Sequence, residues 1–186
     1  EELRMKQHEV KVPAKVVVLG GGNTAMDAAS EAARMGARKT VLAYRNSKEK
    51  MGAYDFEYDL AISAGVDSLF NVTPIAITGN GKVEGVKFAK TEMIDGTLKT
   101  NMNNTFIVRC DMVIKATGQA KQGHFYDLID NLDTDNKTRI KTNDEFQTSN
   151  EKYFAGGDAI NGGAEVVNAA YDGKMAAQGI HNWLNK

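Results

Sequence analysis

Gly20-Gly21-Gly22-Asn23-Thr24-Ala25 fits the pattern GxGxxA, with Gly20, Gly22 and Ala25 in its three defined places. Each place has a physical reason. Gly20 permits a tight turn from strand into helix. Gly22 carries no Cβ, so a pyrophosphate can approach the backbone, and small Ala25 lets the helix pack close to the strand. The helix N-terminus then offers free N–H groups and a partial positive charge to the phosphates. The chemistry implied is dinucleotide binding. A glycine-rich structural turn is the competing reading, and the strand-turn-helix context is what separates the two.

A second set of residues bears on which dinucleotide. NAD-binding folds place an acid about 20 residues beyond the turn, against the ribose 2′-hydroxyl, whereas NADP-binding folds often place an Arg there. Here the following segment reads Ala43-Tyr44-Arg45-Asn46-Ser47-Lys48-Glu49-Lys50, with no acid at the strand tip. The Arg45 guanidinium suits a doubly charged 2′-phosphate, with Lys48 and Lys50 as point charges. A solvated basic loop, diluted by Glu49, is the alternative. The expectation is a preference for NADPH over NADH.

Other chemistry is thinly represented. His8, His124 and His181 show no partnering pattern, and no catalytic or metal-ligating residue is expected. Cys110 is the single cysteine, which excludes a disulfide framework, a CxxC redox pair and a cysteine-held iron–sulfur site within these residues. It precedes an apolar strand and reads as a structural thiol. The net charge of −1, from 23 basic and 24 acidic residues, gives no support to nucleic-acid or membrane binding. No apolar run approaches the ~20 residues of a membrane span. The charged N-terminal stretch EELRMKQHEV does not resemble a signal peptide, so a cytoplasmic setting is expected. That stretch reads as a linker, 1–13, from a preceding region, as if the chain were cut from a longer polypeptide.

The elements that must position these residues follow from pattern. Val16-Val17-Val18-Leu19 is a continuous apolar run, suited to a strand buried on both faces. The alanine-rich segment TAMDAASEAARM is helical and stops at Gly36, and Thr40–Tyr44 is the next strand. Strand, glycine turn, helix and strand make a βαβ unit. A helix is expected over 55–64, then strands over 69–78, 83–92 and 104–109 as an antiparallel meander, turning at Gly79-Asn80-Gly81 and Asp95-Gly96. Asp111–Ala116 is a further strand, ending at Thr117-Gly118. Beyond it come a short helix over 124–132, a strand at Tyr153-Phe154-Ala155 and a helix over 164–184. The fold class is α/β: a Rossmann-like parallel sheet with a three-stranded meander, and part of a second dinucleotide domain. The divisions are 14–118 for the nicotinamide nucleotide and 119–186 for the C-terminal part of a flavin domain.

The stretches VVVLGGGNTAMDAA, VLAYRNSKEKMGA, KATGQ and TSNEKYFAGGDAINGGAEVVNAAYDGKMAA occur in that order. In this order the chain resembles the flavin- and NADPH-binding part of the glutamate synthase small subunit, and is similar to dihydropyrimidine dehydrogenase and its bacterial partner subunits. The resemblance runs from about Lys11 to Leu184. It implies that Gly157 and Asp158 meet the ribityl or phosphate region of FAD. It implies that the backbone N–H groups of Glu165 and Val166 face the flavin N1/O2 edge, where negative charge develops on reduction. Ala116-Thr117-Gly118 would pass the NADPH pyrophosphate and ribose, and Asn23 and Thr24 would cap the phosphate helix. In such proteins the cofactors carry the chemistry, which is why no catalytic side chain is assigned.

The sequence departs from the family pattern at Asn46 and Gly52, where further arginines are frequent, and at Met51-Gly52-Ala53, which lacks the usual proline. The family's first glycine turn, for the FAD pyrophosphate, and its iron–sulfur cysteines are not among these residues. The implied activity is hydride transfer from NADPH to FAD and onward to an electron-accepting domain or subunit, with the isolated chain inactive alone. The competing expectation is a stand-alone NAD(P)H sensor or docking module.

Overall fold

Continuous apolar character in Val16–Leu19 predicts a strand covered on both faces, and both faces are covered. The elements run β1 (Lys15–Leu19), α1 (Asn23–Arg34), β2 (Lys39–Ala43), a 3₁₀ turn (Lys48–Lys50), α2 (Asp55–Ser63), β3 (Val66–Leu69), β4 (Val72–Thr78), β5 (Gly85–Ile94), β6 (Thr97–Arg109) and β7 (Met112–Lys115). Four strands form a parallel sheet in the order β3-β2-β1-β7. Val16, Val18 and Leu42 face a cluster with Ala25, Met26 and Ala29 of α1. Val17, Leu19, Val41 and Ala43 face the opposite way, onto Val72, Val86 and Phe88 of the meander β4-β5-β6. The result is three layers: helices, parallel sheet, antiparallel sheet. Cys110 is buried in the meander-side cluster, and burial raises its thiol pKa.

This computed structural model describes residues 9–119 and 123–185. Two compact units divide between Gly118 and Gln119. Of the expected linker, residues 1–8 lie outside the described residues, as does His8. The remainder is not all free chain: Val12 packs against the helix-side core, and just past the expected linker the Ala14 carbonyl accepts from Lys39 N at 3.0 Å. Among the described residues no helix is long and apolar enough to cross a membrane, and no group of three or more His, Cys, Asp or Glu is placed to hold a metal ion.

Most expected boundaries move by a residue or two, and four expected elements change more. The strand expected over 69–78 is two strands. Asn71 adopts a left-handed conformation (φ 56°) that breaks the run. The residues before it, Val66–Leu69, join the parallel sheet as β3. That strand was hidden because Asp67 and Ser68 interrupt its apolar pattern. The strand expected over 104–109 is the end of the 13-residue β6, whose first half is polar and exposed. The expected turn at Asp95-Gly96 is present, both residues having positive φ (51° and 74°), as a two-residue hairpin requires. In the second unit the helix expected over 124–132 contracts to α3 (Gly123–Tyr126). Tyr153–Ala155 is not a strand: Phe154 makes one isolated bridge, to Gln147.

That second unit continues with α4 (Asp158–Asn161) and α5 (Val166–Leu184). Its polar stretch is organised by side chains. Asp135 accepts from its own downstream backbone at Lys137 and Arg139, at 2.8 and 2.9 Å, and from the Arg139 Nε at 2.6 Å. The Arg139 hydrogen bond leads the causes that hold the Asp135 carboxyl down at about 2, from an ordinary 3.8. A depressed carboxylate contributes stability above its unfolded value and loses it as pH falls through the folded one. Asp135→Asn is therefore expected to destabilise this unit at neutral pH, with the deficit shrinking between 3.8 and about 2. Denaturation at stepped pH checks it; a deficit unchanged by pH would contradict the charge argument.

Candidate functional site

Parallel sheets bind ligands at the carboxyl ends of their strands, where neighbouring strands run off in opposite chain directions. In this sheet the reversal falls at β1, with β2 on one side and β7 on the other. Gly20 follows β1 there, Arg45 follows β2, and Ala116-Thr117 follow β7. Gly20, Arg45 and Thr117 line one cleft of about 290 Å³. The strand ends are tied together: Gly20 N donates to the Ala43 carbonyl at 3.0 Å, and Ala116 N to the Leu19 carbonyl at 2.8 Å.

The two defining glycines act differently. Gly20 has φ 152°, and a methyl there would strike the Ala116 carbonyl oxygen while lying 3.0 Å from Ala25 Cβ. It is glycine because β1, β7 and α1 converge on it. Gly22 has an ordinary φ of −104° and is the N-cap of α1. Among the described residues, a methyl there meets no atom within 4 Å. Nothing among them demands glycine at that point, and its face is open.

Asn23 and Thr24 do not cap α1: among the described residues no side-chain hydrogen bond caps that helix. Thr24 is exposed at its first turn. The Asn23 Oδ1 instead accepts from Tyr54 N at 2.9 Å. Beside it, Gly52 N and Ala53 N donate to the Gly21 carbonyl at 3.0 and 3.1 Å. The 51–54 segment is thus pinned onto the glycine turn, with no proline needed at Gly52. Asn23→Ala is expected to cost about 1 kcal/mol, and Asn23→Asp, which keeps the acceptor, much less. Chemical denaturation of the two variants checks this; equal losses would refute it.

Arg45 is exposed, and among the described residues its guanidinium has no partner. Together with Lys50 it lines a second, wider groove of about 520 Å³, next to the β5–β6 hairpin. Lys48 turns elsewhere, its Nζ lying 4.4 Å from the centroid of the Tyr58 ring, so of the two lysines it is Lys50 that lines the groove with Arg45. Tyr44 was not singled out by sequence reasoning. Its ring lies against Gly21, its hydroxyl donates to the Lys50 carbonyl at 2.7 Å, and Asn46 Nδ2 donates to that hydroxyl at 3.3 Å. An aromatic after a strand gives no sign of this in sequence.

In the second unit Gly157, Asp158, Glu165 and Val166 line a single cleft of about 540 Å³. Gly157 is held by Asp172, whose Oδ2 accepts from its N–H at 2.9 Å. Asp158 opens the short α4 rather than closing a strand, and its Oδ1 accepts from Ala164 N at 3.3 Å. Glu165 is the N-cap of α5 in a capping box: its side chain accepts from Asn168 N, and its own N–H donates to Asn168 Oδ1 at 3.2 Å. The Glu165 N–H is therefore engaged within the chain, contrary to its expected outward role. Among the described residues, the N–H groups of Val166 and Val167 remain without acceptors at the end of a 19-residue helix, where positive potential concentrates.

Comparison with known proteins shows what the chain as a whole is similar to. The chain is 40% identical over 182 residues to the glutamate synthase [NADPH] small chain of Escherichia coli, covering 91% of this chain and 39% of that one. It is 30% identical over 186 residues to the E. coli NAD-dependent dihydropyrimidine dehydrogenase subunit PreT, covering 99% and 40%. The chain thus spans about two fifths of the length of these relatives. Its fold is like that of a thioredoxin reductase from T. acidophilum, with a TM-score of 0.77 at 22% identity over 92% of this chain and 53% of the other. The profile for the pyridine nucleotide-disulphide oxidoreductase family matches residues 2–173, and the chain belongs to that family.

Proposed function

We propose that this chain is the NADPH-binding portion of a flavin-dependent oxidoreductase of the glutamate synthase small-chain type, carrying also the C-terminal part of the flavin site. Its domains would be 14–118 for NADPH and 119–186 for FAD. The observation that carries the reading is the pairing of an open Gly22 with an exposed Arg45, without a side-chain partner among the described residues, at the carboxyl edge of one parallel sheet. When bound, the nicotinamide would supply a hydride and the flavin would accept it, the electrons then going to a further domain or subunit.

The residues fit both groups. For NADPH, the first N–H groups of α1 would hold the pyrophosphate, with Thr24 beside them and Ala116-Thr117-Gly118 flanking the ribose. Arg45 would take the 2′-phosphate in a bidentate grip, with Lys50 adding charge. For FAD, the free N–H groups of Val166 and Val167 would donate to the flavin edge that becomes negative on reduction. Asp158 retains one carboxylate oxygen for a ribityl or phosphate-proximal hydroxyl. The relatives' names include both NADPH and NAD, so family membership does not choose between them. Arg45 and the missing strand-tip acid favour NADPH. Calorimetric titration of the chain with NADPH and with NADH tests the reading: tighter NADPH binding supports it. Equal affinities would remove the NADPH assignment, and failure of both to bind would remove the nucleotide site.

A further inference from the structure

The meander reaches into the 44–46 segment at one side chain. Thr91 lies on β5, 46 residues from Arg45, and its Oγ1 donates to the Arg45 carbonyl at 2.6 Å. Thr91 is 6% exposed, one of few buried polar residues. It is also the last buried position of β5, because Glu92, Met93 and Ile94 run out into solvent. A buried strand position of this kind is ordinarily apolar, and Val would fill the same volume without a hydroxyl to satisfy. Among the described residues, the Thr91 hydroxyl makes the one hydrogen bond to the backbone of Arg45.

Neighbouring bonds fix the rest of the segment. Tyr44 N donates to the Leu69 carbonyl at 2.9 Å, Val72 N to the Tyr44 carbonyl at 3.2 Å, and Asn71 N to the Asn46 carbonyl at 3.2 Å. Thr91 N closes the set by donating to the Asn71 carbonyl at 2.9 Å. Residues 44 and 46 are therefore held by main-chain bonds, and residue 45 by a side chain. The β5–β6 pairing shifts register between Ala89 and Lys90, directly before Thr91. Such irregularities re-aim side chains and cluster beside binding sites. Thr91, Arg45 and Lys50 line the same 520 Å³ groove.

We infer that Thr91 is a positioning residue for the selection of a 2′-phosphorylated dinucleotide: it fixes the Arg45 backbone so that the exposed guanidinium is pre-aimed into the groove. The inference rests on the reading of Arg45 given above. A long exposed side chain loses rotamer freedom on meeting a phosphate, and an anchored Cα reduces how much more must be ordered. The effect should therefore fall on the phosphate-bearing ligand and spare the ligand without it.

The test is calorimetric titration of the full chain with NADPH and NADH, for the wild type, Thr91→Val, Thr91→Ser, Arg45→Ala and the double variant Arg45→Ala/Thr91→Val. Thr91→Val is expected to lower the NADPH-to-NADH affinity ratio by roughly three- to tenfold, the size of one hydrogen bond. NADH affinity should stay within about twofold, and Thr91→Ser should restore the ratio. In the Arg45→Ala background Thr91→Val should change nothing further. Equal weakening of both nucleotides, an unchanged ratio, additive effects in the double variant, or a ratio that Thr91→Ser fails to restore would each overturn the inference. If Thr91→Val does not fold, Thr91→Ser and Thr91→Ala decide it, the first keeping the ratio and the second losing it. Should Arg45→Ala itself leave the ratio intact, it is the NADPH reading that fails, and the two failures are thereby told apart.

Discussion

Arg45→Ala lowers NADPH affinity by roughly 10- to 100-fold and leaves NADH affinity within about twofold: this is the result expected from a guanidinium whose role is to meet a phosphate. Hydrogen bonds to charged groups contribute about 1.5–3 kcal/mol each, and each 1.4 kcal/mol is tenfold in affinity. The lower end applies where the pair is exposed, as Arg45 is, because water and salt screen it. The discrimination should therefore shrink as ionic strength rises. Arg45→Lys should recover only part of it, since an ammonium offers a point charge and no planar fork. Because the Arg45 side chain is exposed and makes no hydrogen bond or ion pair among the described residues, folding stability should change little, which makes the variant a clean reading of ligand binding. A comparable loss for both nucleotides would instead assign Arg45 to a shared part of the ligand.

The glycine turn yields the second large effect, a separation of folding from binding across two residues. Gly20→Ala should damage the fold. The added methyl would strike the Ala116 carbonyl, lie 2.9 Å from its carbon and impose φ 152° on an L residue. Backbone strain and overpacking together cost roughly 3 kcal/mol or more, enough to lower the melting temperature of this unit by about 10 °C. Gly22→Ala should leave the fold nearly intact, because its φ is −104° and the methyl meets nothing. Its cost is that of a poorer N-cap, about 1 kcal/mol or less. Dinucleotide affinity, however, should fall by roughly 10- to 100-fold for NADPH and NADH alike, since the methyl would stand where the proposed site brings the pyrophosphate. Thermal melts and titrations on the same preparations check both. A Gly22→Ala protein that binds normally would show that the phosphates lie elsewhere.

The sheet edge proposed to hold the nucleotide was legible in sequence to the extent that it depends on local patterns. An apolar run, three small residues in fixed places and an alanine-rich helix are sufficient to place Gly20, Gly22 and Ala25 at the end of a buried strand. β3 was illegible because Val66-Asp67-Ser68-Leu69 carries a strand through its pairing with β2 rather than through its own apolarity. The long polar half of β6 was missed for the same reason, since its partner β5 supplies the ladder. At the site, the residue types around Arg45 were readable, but their contacts were not. Tyr44 on Gly21, Asn23 on Tyr54 and Thr91 on Arg45 all depend on tertiary placement. Asn23 and Glu165 show the limit from the other side: both sit at helix N-termini, yet the Asn23 acceptor and the Glu165 N–H are used within the chain.

The sheet order has a consequence for how the chain is made. β1 sits between β2 and β7, so one of its edges is closed early by a nearby strand and the other waits for residues 112–115. The whole meander is synthesised in between. Until β7 arrives, the Val16–Leu19 edge offers unpaired N–H and C=O groups beside an apolar surface, the combination that recruits other chains. Pairing across such a separation is slow, because the loop must close before any contact rewards it. Expression conditions that slow aggregation during synthesis should thus matter more for this chain than its ordinary composition suggests, and truncations ending before Met112 should aggregate.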